Sequence, residues 1–198
     1  MYAVYHGPEG LKKIARRIHR MTGVLAGALQ RLGYEVVTEN FFDTIKVNLG
    51  SRHTRELVKL AGEHRLNLRV FDAQSVGISL DETTSAEDLE TLVKIFNNGK
   101  APVSTIESLA ADPAFRIPHS ALRHSPFLAH PVFHRHHSET EMLRYIRRLE
   151  TRDLSLTASM IPLGSCTMKL NATAEMFPVT WPEFGQLHPF AQIGRAHV

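Results

Sequence analysis

The sequence predicts an α+β domain followed by a proline-broken stretch. Three observations carry that prediction. Residues 9–32 hold one apolar face at helical spacing. The period then switches to strand alternation after Gly33. A capping signal at Ser85 opens another helix just before the pattern dissolves at about residue 100.

The first helix is read from Glu9 to Leu32. Leu11, Ile14, Ile18, Met21, Leu25, Ala28 and Leu32 recur at steps of three and four and so share one face. Pro8 stands where the first turn tolerates a missing N–H, and Gly33 where a left-handed cap is cheap. Lys12, Lys13, Arg16, Arg17 and Arg20 form a basic stripe. The ordinary reading of such a stripe is a solvated helix face; an anion or a membrane surface is the alternative. The basic start also has the look of a transit peptide, but Pro8, Glu9 and the strict seam favour packing.

Tyr34–Thr38 and Phe41–Leu49 have strand composition, with Ile45, Val47 and Leu49 alternating against polar residues. Thr54–His64 is expected to be helical through Leu57, Leu60 and Ala61. Asn67–Phe71 and Ser75–Leu80 are two further strands. Ser85 with Asp88 resembles a capping box opening a helix through Ile95 and Phe96, which Asn97-Asn98-Gly99 ends. Helix, strands, helix, strands and helix with single apolar faces make a small sheet with helices packed on one side. From residue 100 to about 137, Pro102, Pro113, Pro118, Pro126 and Pro131 interrupt any long element. Ser138–Glu141 is a second capping box, and Met142, Tyr145, Ile146 and Leu149 give its helix an apolar face.

Composition narrows the function classes. Of 198 residues, 43% are hydrophobic and 22% charged, the profile of an ordinary globular chain expected to be soluble. A net charge of +3 is too small an excess to argue for nucleic acid. The single cysteine, Cys166, excludes an internal disulfide framework, and no apolar run reaches the roughly 20 residues that span a bilayer. The glycines form no dinucleotide or P-loop pattern.

Two clusters invite chemistry. Twelve histidines include His124, His130, His134, His136 and His137, and the HRHH run suggests a metal site. Its spacing is not that of a helical pair, and no carboxylate or thiolate pattern completes a tetrahedral set. Lys169, in Ser165-Cys-Thr-Met-Lys169, invites a nucleophile or Schiff-base reading. Serine lies four before the lysine, however, where the penicillin-binding arrangement needs three. The plain alternative is a buried loop of small residues.

Several stretches together resemble the glycine dehydrogenase (decarboxylating) P-protein family of the glycine cleavage system. They are YAVYHGPEGL (2–11), IARRIHRM (14–21), VGISLDETT (76–84), HPVFHRHHSETEMLRY (130–145), IPLGSCTMKLN (161–171) and WPEFGQLHPF (181–190). The resemblance implies an internal piece of a protein built from two tandem fold-type I pyridoxal-phosphate units. On that reading, residues 1–30 end the first large domain, 31–100 are its small α+β domain, and 101–158 link the units. Residues 159–191 then open the second unit. Residues 192–198 leave the family pattern and read as one frame of a sequencing adapter, so they are expected to be a non-native tail.

The family implies pyridoxal phosphate as cofactor, glycine as substrate and a lipoyl-bearing H-protein as acceptor of the aminomethyl group. It also implies a homodimer or two-subunit assembly, in the bacterial cytoplasm or, in a eukaryote, the mitochondrion. The family's cofactor lysine follows a histidine and precedes a glycine-rich run. Neither feature occurs here, so Lys169 is not expected to be that lysine, and the piece alone is expected to be inactive. Ser165, Cys166 and Thr167 are the residues expected near glycine or cofactor. HRHH departs from the family at His134 and His136. A reading from another class remains: a free-standing α+β binding or regulatory module with a metal at the histidine cluster.

Overall fold

The computed structural model describes residues 1–100, 122–152 and 172–185. The chain divides into two compact units, 1–134 and 135–198, the break falling inside the stretch read from sequence as a linker.

In the first unit, helix α1 runs Tyr2–Arg31 but is broken at Gly7, whose φ of 62° and ψ of −179° are open only to glycine. The residue before a proline is driven from helical ψ, and Pro8 then supplies a preset φ for a fresh start. The helix therefore begins at Pro8 as the sequence indicates, with an unforeseen short turn, Tyr2–His6, ahead of it. Its far end is a Schellman cap: the Tyr34 N–H donates to the Leu29 carbonyl (3.1 Å) and the Gly33 N–H to Gln30 (3.0 Å), with Gly33 at φ 88°.

Four antiparallel strands follow, β1 (Glu35–Val36), β2 (Thr44–Asn48), β3 (Arg69–Val70) and β4 (Ser75–Ser79), in the order β1-β2-β4-β3. Helix α2 (Thr54–Glu63) lies between β2 and β3, and α3 (Ala86–Phe96) follows β4. The α+β reading is met, with shorter strands than composition suggests. Phe41 and Phe42 lie outside β2, and β1 and β3 keep two residues each.

The register pairs Ile45 with Ile78 and Val47 with Val76, so these four face one way. They join Leu25 and Leu29 of α1, Leu57 and Ala61 of α2, and Leu89, Val93, Ile95 and Phe96 of α3 in one buried cluster. The helices thus cover a single face. On the other face Phe71 lies over Gly77, so closely that a Cβ there would stand 2.8 Å from Phe71 Cε2. Lys46 and Arg69 flank that ring at 5.1 and 4.7 Å from its centroid. Arg52 reaches the Phe96 carbonyl (3.2 Å), and the Tyr34 hydroxyl donates to the same oxygen (2.8 Å), closing the end of α3.

The described residues of the second unit form α4 (Glu139–Glu150) and three single turns, Thr173–Met176, Phe177–Thr180 and Pro182–Gly185. Ser138 Oγ accepts from the Glu141 N–H (3.3 Å) and caps α4. The box at α3 is the fuller one: Ser85 and Asp88 exchange both bonds.

Candidate functional site

Two constructions in the first unit use polar residues that α1 presents. The first is a junction about the turn after β4. Asp81 Oδ1 accepts from the Thr83 N–H (2.8 Å), the Thr83 hydroxyl (2.7 Å), the Thr84 N–H (3.1 Å) and the Thr84 hydroxyl (3.2 Å). These donors, the Thr83 hydroxyl foremost, hold the Asp81 carboxyl below its ordinary range. The turn so fixed presents two carbonyls outward. Arg17 of α1 spans them, donating to Glu82 O (3.1 Å) and Thr84 O (2.5 Å). Tyr2 reaches the same turn through its hydroxyl, 3.5 Å from Glu82 Oε1. The three N-terminal stretches that carry the resemblance, 2–11, 14–21 and 76–84, therefore meet in one place. The chemistry there is structural: one oxygen of the carboxylate takes four bonds from its own turn, and the guanidinium is committed to backbone.

The second construction is a cleft of about 340 Å³ beside the basic side of α1. Leu11, Ala15, Phe42, Leu122 and Phe127 supply its apolar wall. Lys12, Arg16, Arg123 and His19 supply its polar groups. Lys12 pairs with Glu9 (2.8 Å) and lies 5.6 Å from the centroid of Phe127. The Arg123 guanidinium lies 5.0 Å from the same centroid, braced by donation to the Ser125 hydroxyl (3.0 Å). His19 stands edge-on to Phe41 and Phe42, and burial pushes its pKa down, favouring the neutral ring. The basic stripe is thus not one solvated face: Arg17 is a strut, while Lys12 and Arg16 edge a cleft.

The metal reading of the histidine cluster finds no support among the described residues. Among the described residues no group of three or more His, Cys, Asp or Glu side chains could hold a metal ion. Three of the rings have another use. His130 Nδ1 accepts from the Val132 N–H (3.2 Å), and His134 Nε2 bonds the Leu128 carbonyl (3.0 Å) in the turn Pro131–His134. In the second unit His136 stacks on Tyr145 at 4.2 Å. Ser165, Cys166 and Thr167, with Lys169, lie outside the described residues.

Comparison with known proteins decides the family. Residues 1–96 match the family described as glycine cleavage system P-protein. A glycine dehydrogenase (decarboxylating) of Nostoc is 55% identical over 199 residues, covering 98% of this chain and 20% of the relative. The chain belongs to the P-protein family. A second relative of that name, from Photobacterium profundum, is 56% identical over 96% of the chain, and one from Vibrio cholerae 52% over 98%. The chain spans about a fifth of the length of each of these three. No helix of the described residues is long and apolar enough to cross a membrane.

The cleft is what sequence reasoning missed. Its helical half was visible as two rows at four-residue spacing, Leu11–Ala15–His19 and Lys12–Arg16. Its other half, Phe42, Leu122, Arg123 and Phe127, comes from loops whose approach to α1 no local pattern announces.

Proposed function

We propose that this chain works as part of an enzyme that decarboxylates glycine and passes the remaining aminomethyl group to the lipoyl arm of an H-protein. The observation that carries this is the 55% identity, over 98% of the chain, to a relative named glycine dehydrogenase (decarboxylating). Pyridoxal phosphate is the cofactor the family implies, and it would supply the electron sink for loss of carbon dioxide. The described residues do not fit that group. A cofactor lysine needs a desolvated setting with an anion cradle at hand. Lys12 is paired to Glu9, Lys46 lies beside Phe71 on the open sheet face, and Lys13, Lys59, Lys94 and Lys100 are exposed. The role of the described part is therefore architectural.

On this reading residues 31–100 are the small domain of a fold-type I unit, 1–30 the helix entering it, 101–158 the connection and 159–191 the opening of the next unit. Ser165, Cys166 and Thr167 are the polar groups at the edge of the glycine pocket. The assembly is a homodimer or a two-subunit enzyme in the bacterial cytoplasm.

The test is release of carbon dioxide from carboxyl-labelled glycine by the product of the complete reading frame, supplied with pyridoxal phosphate and lipoylated H-protein. Turnover by that product, and none by the 198-residue chain alone, is expected. Turnover by the chain alone, or none by the complete product, overturns the reading. Within the complete product, Thr167→Val is expected to raise KM for glycine about tenfold, the scale of one lost hydrogen bond. An unchanged KM removes Thr167 from the pocket.

A further inference from the structure

We propose that the cleft beside α1 is a binding site for a small organic acid, its anionic group held by Arg16 and Arg123 and its planar apolar body laid against Phe127 and Phe42. The volume of about 340 Å³ lies at the low end of small-molecule sites, which run from roughly 300 to 1,000 Å³. That is too small for a partner helix of about 10 Å diameter or more. A small molecule is the occupant that matches this size.

The sign of its charge follows from the lining, which among the described residues carries three cationic side chains and no carboxylate. Glu9, the carboxylate nearest in sequence, is spent on Lys12 and does not line the cleft. Arg16 acts on the Glu9 carboxylate through its charge, but among the described residues no hydrogen bond occupies its fork, which can take a second carboxylate. Arg123 is already oriented by Ser125 and by the face of Phe127, which lowers the entropy lost when it grips an anion.

The apolar body follows from the wall. An ordinary solvated basic stripe would face water on every side, whereas here Leu11, Ala15, Leu122 and the two phenylalanines border the cationic groups on one side. His19, kept neutral by its burial between Phe41 and Phe42, adds a polar atom without adding charge. An acid with a flat hydrocarbon body satisfies both halves. A bare inorganic anion leaves the apolar wall wet, and a neutral hydrocarbon leaves Arg16 unanswered. This site goes beyond the glycine reading and is independent of it, since the test reads binding and not turnover.

Naphthoate is the probe. The full chain is titrated with it while the ring protons of His19 are followed by NMR and the heat by calorimetry. Saturation at one site with a displaced His19 signal is expected. Arg16→Gln and Arg123→Gln are each expected to weaken binding about tenfold, and naphthalenemethanol, the same body without the charge, to bind at least tenfold more weakly. Both arginines are exposed, so these variants should melt as the parent does. Equal affinity for the alcohol overturns the proposal without recourse to any variant. So does binding that leaves His19 unmoved, because the apolar side chains exposed elsewhere would then be the site.

Discussion

The two units treat their apolar residues in opposite ways. In the first, every helix and strand of consequence sends side chains into one shared cluster, where Leu25, Leu29, Ile45, Val47 and Leu57 are wholly buried. In the second, α4 has an equally well-formed apolar stripe, yet of its large apolar side chains only Met142 is buried. Leu143 stays 67% exposed, Leu149 40% and Ile146 39%. Helix-forming signals are present in both, a serine cap opening α3 in the first and α4 in the second. What differs is a partner surface. Amphipathic pattern creates a helix that could be buried, and packing decides whether it is worth several kcal/mol or almost nothing. Among the described residues the first unit supplies its own partner surface and the second does not.

The sharpest way to break this comparison is at Phe96, which is buried at the end of α3. Phe96→Ala is expected to cost about 3–5 kcal/mol, read as a lower denaturation midpoint of the 1–134 unit. A loss under about 1 kcal/mol would mean that the cluster is not the load carrier described here. Next in size is the strut. Arg17→Ala removes two charge-assisted bonds to the Asp81 turn and is expected to cost about 1.5 kcal/mol, with faster amide exchange at Thr83 and Thr84. Arg17→Lys should recover less than half, since an ammonium cannot span both carbonyls as a fork does.

In the second unit the expected effects shrink to those of local chemistry. Ser138→Ala is expected to weaken α4 by about 1 kcal/mol, seen as faster amide exchange over residues 139–150. If that helix proves as exchange-protected as β2, its stripe has found cover and the contrast collapses. The smallest effect is one of pH. The Asp81 carboxyl titrates below its unfolded value, so its contribution is present above an ordinary carboxylate pKa of about 3.9 and is lost as pH falls through the folded value. Asp81→Asn is expected to flatten the fall in melting temperature between about pH 5 and pH 3.

How much of this was legible in the sequence follows the range of the interactions. The helix behind Pro8, its end at Gly33, the helix behind Ser85 and the cap at Ser138 are short-range signals and were readable. The strand after Asn40 was overextended, because Phe41 and Phe42 have strand composition but spend it on His19 instead. The break at Gly7 was half legible: Pro8 announced a start, and nothing announced the turn before it. The Arg17 strut and the cleft join residues more than sixty positions apart, and no period or cap encodes such a meeting. Ser165, Cys166 and Thr167 are singled out by the family resemblance and not by any spacing rule.

The edges of the small sheet have a consequence for handling the protein. The outer strands, Glu35–Val36 and Arg69–Val70, are two residues long. A border that short offers a passing chain too little unpaired backbone to template a fifth strand, and Glu35 and Arg69 put charge on both borders. The sheet is closed to growth without a barrel or a covering helix. Should concentrated solutions of this chain cloud, the aggregates are expected to hold native sheet and to be glued by greasy side chains, with no cross-β reflection in their diffraction.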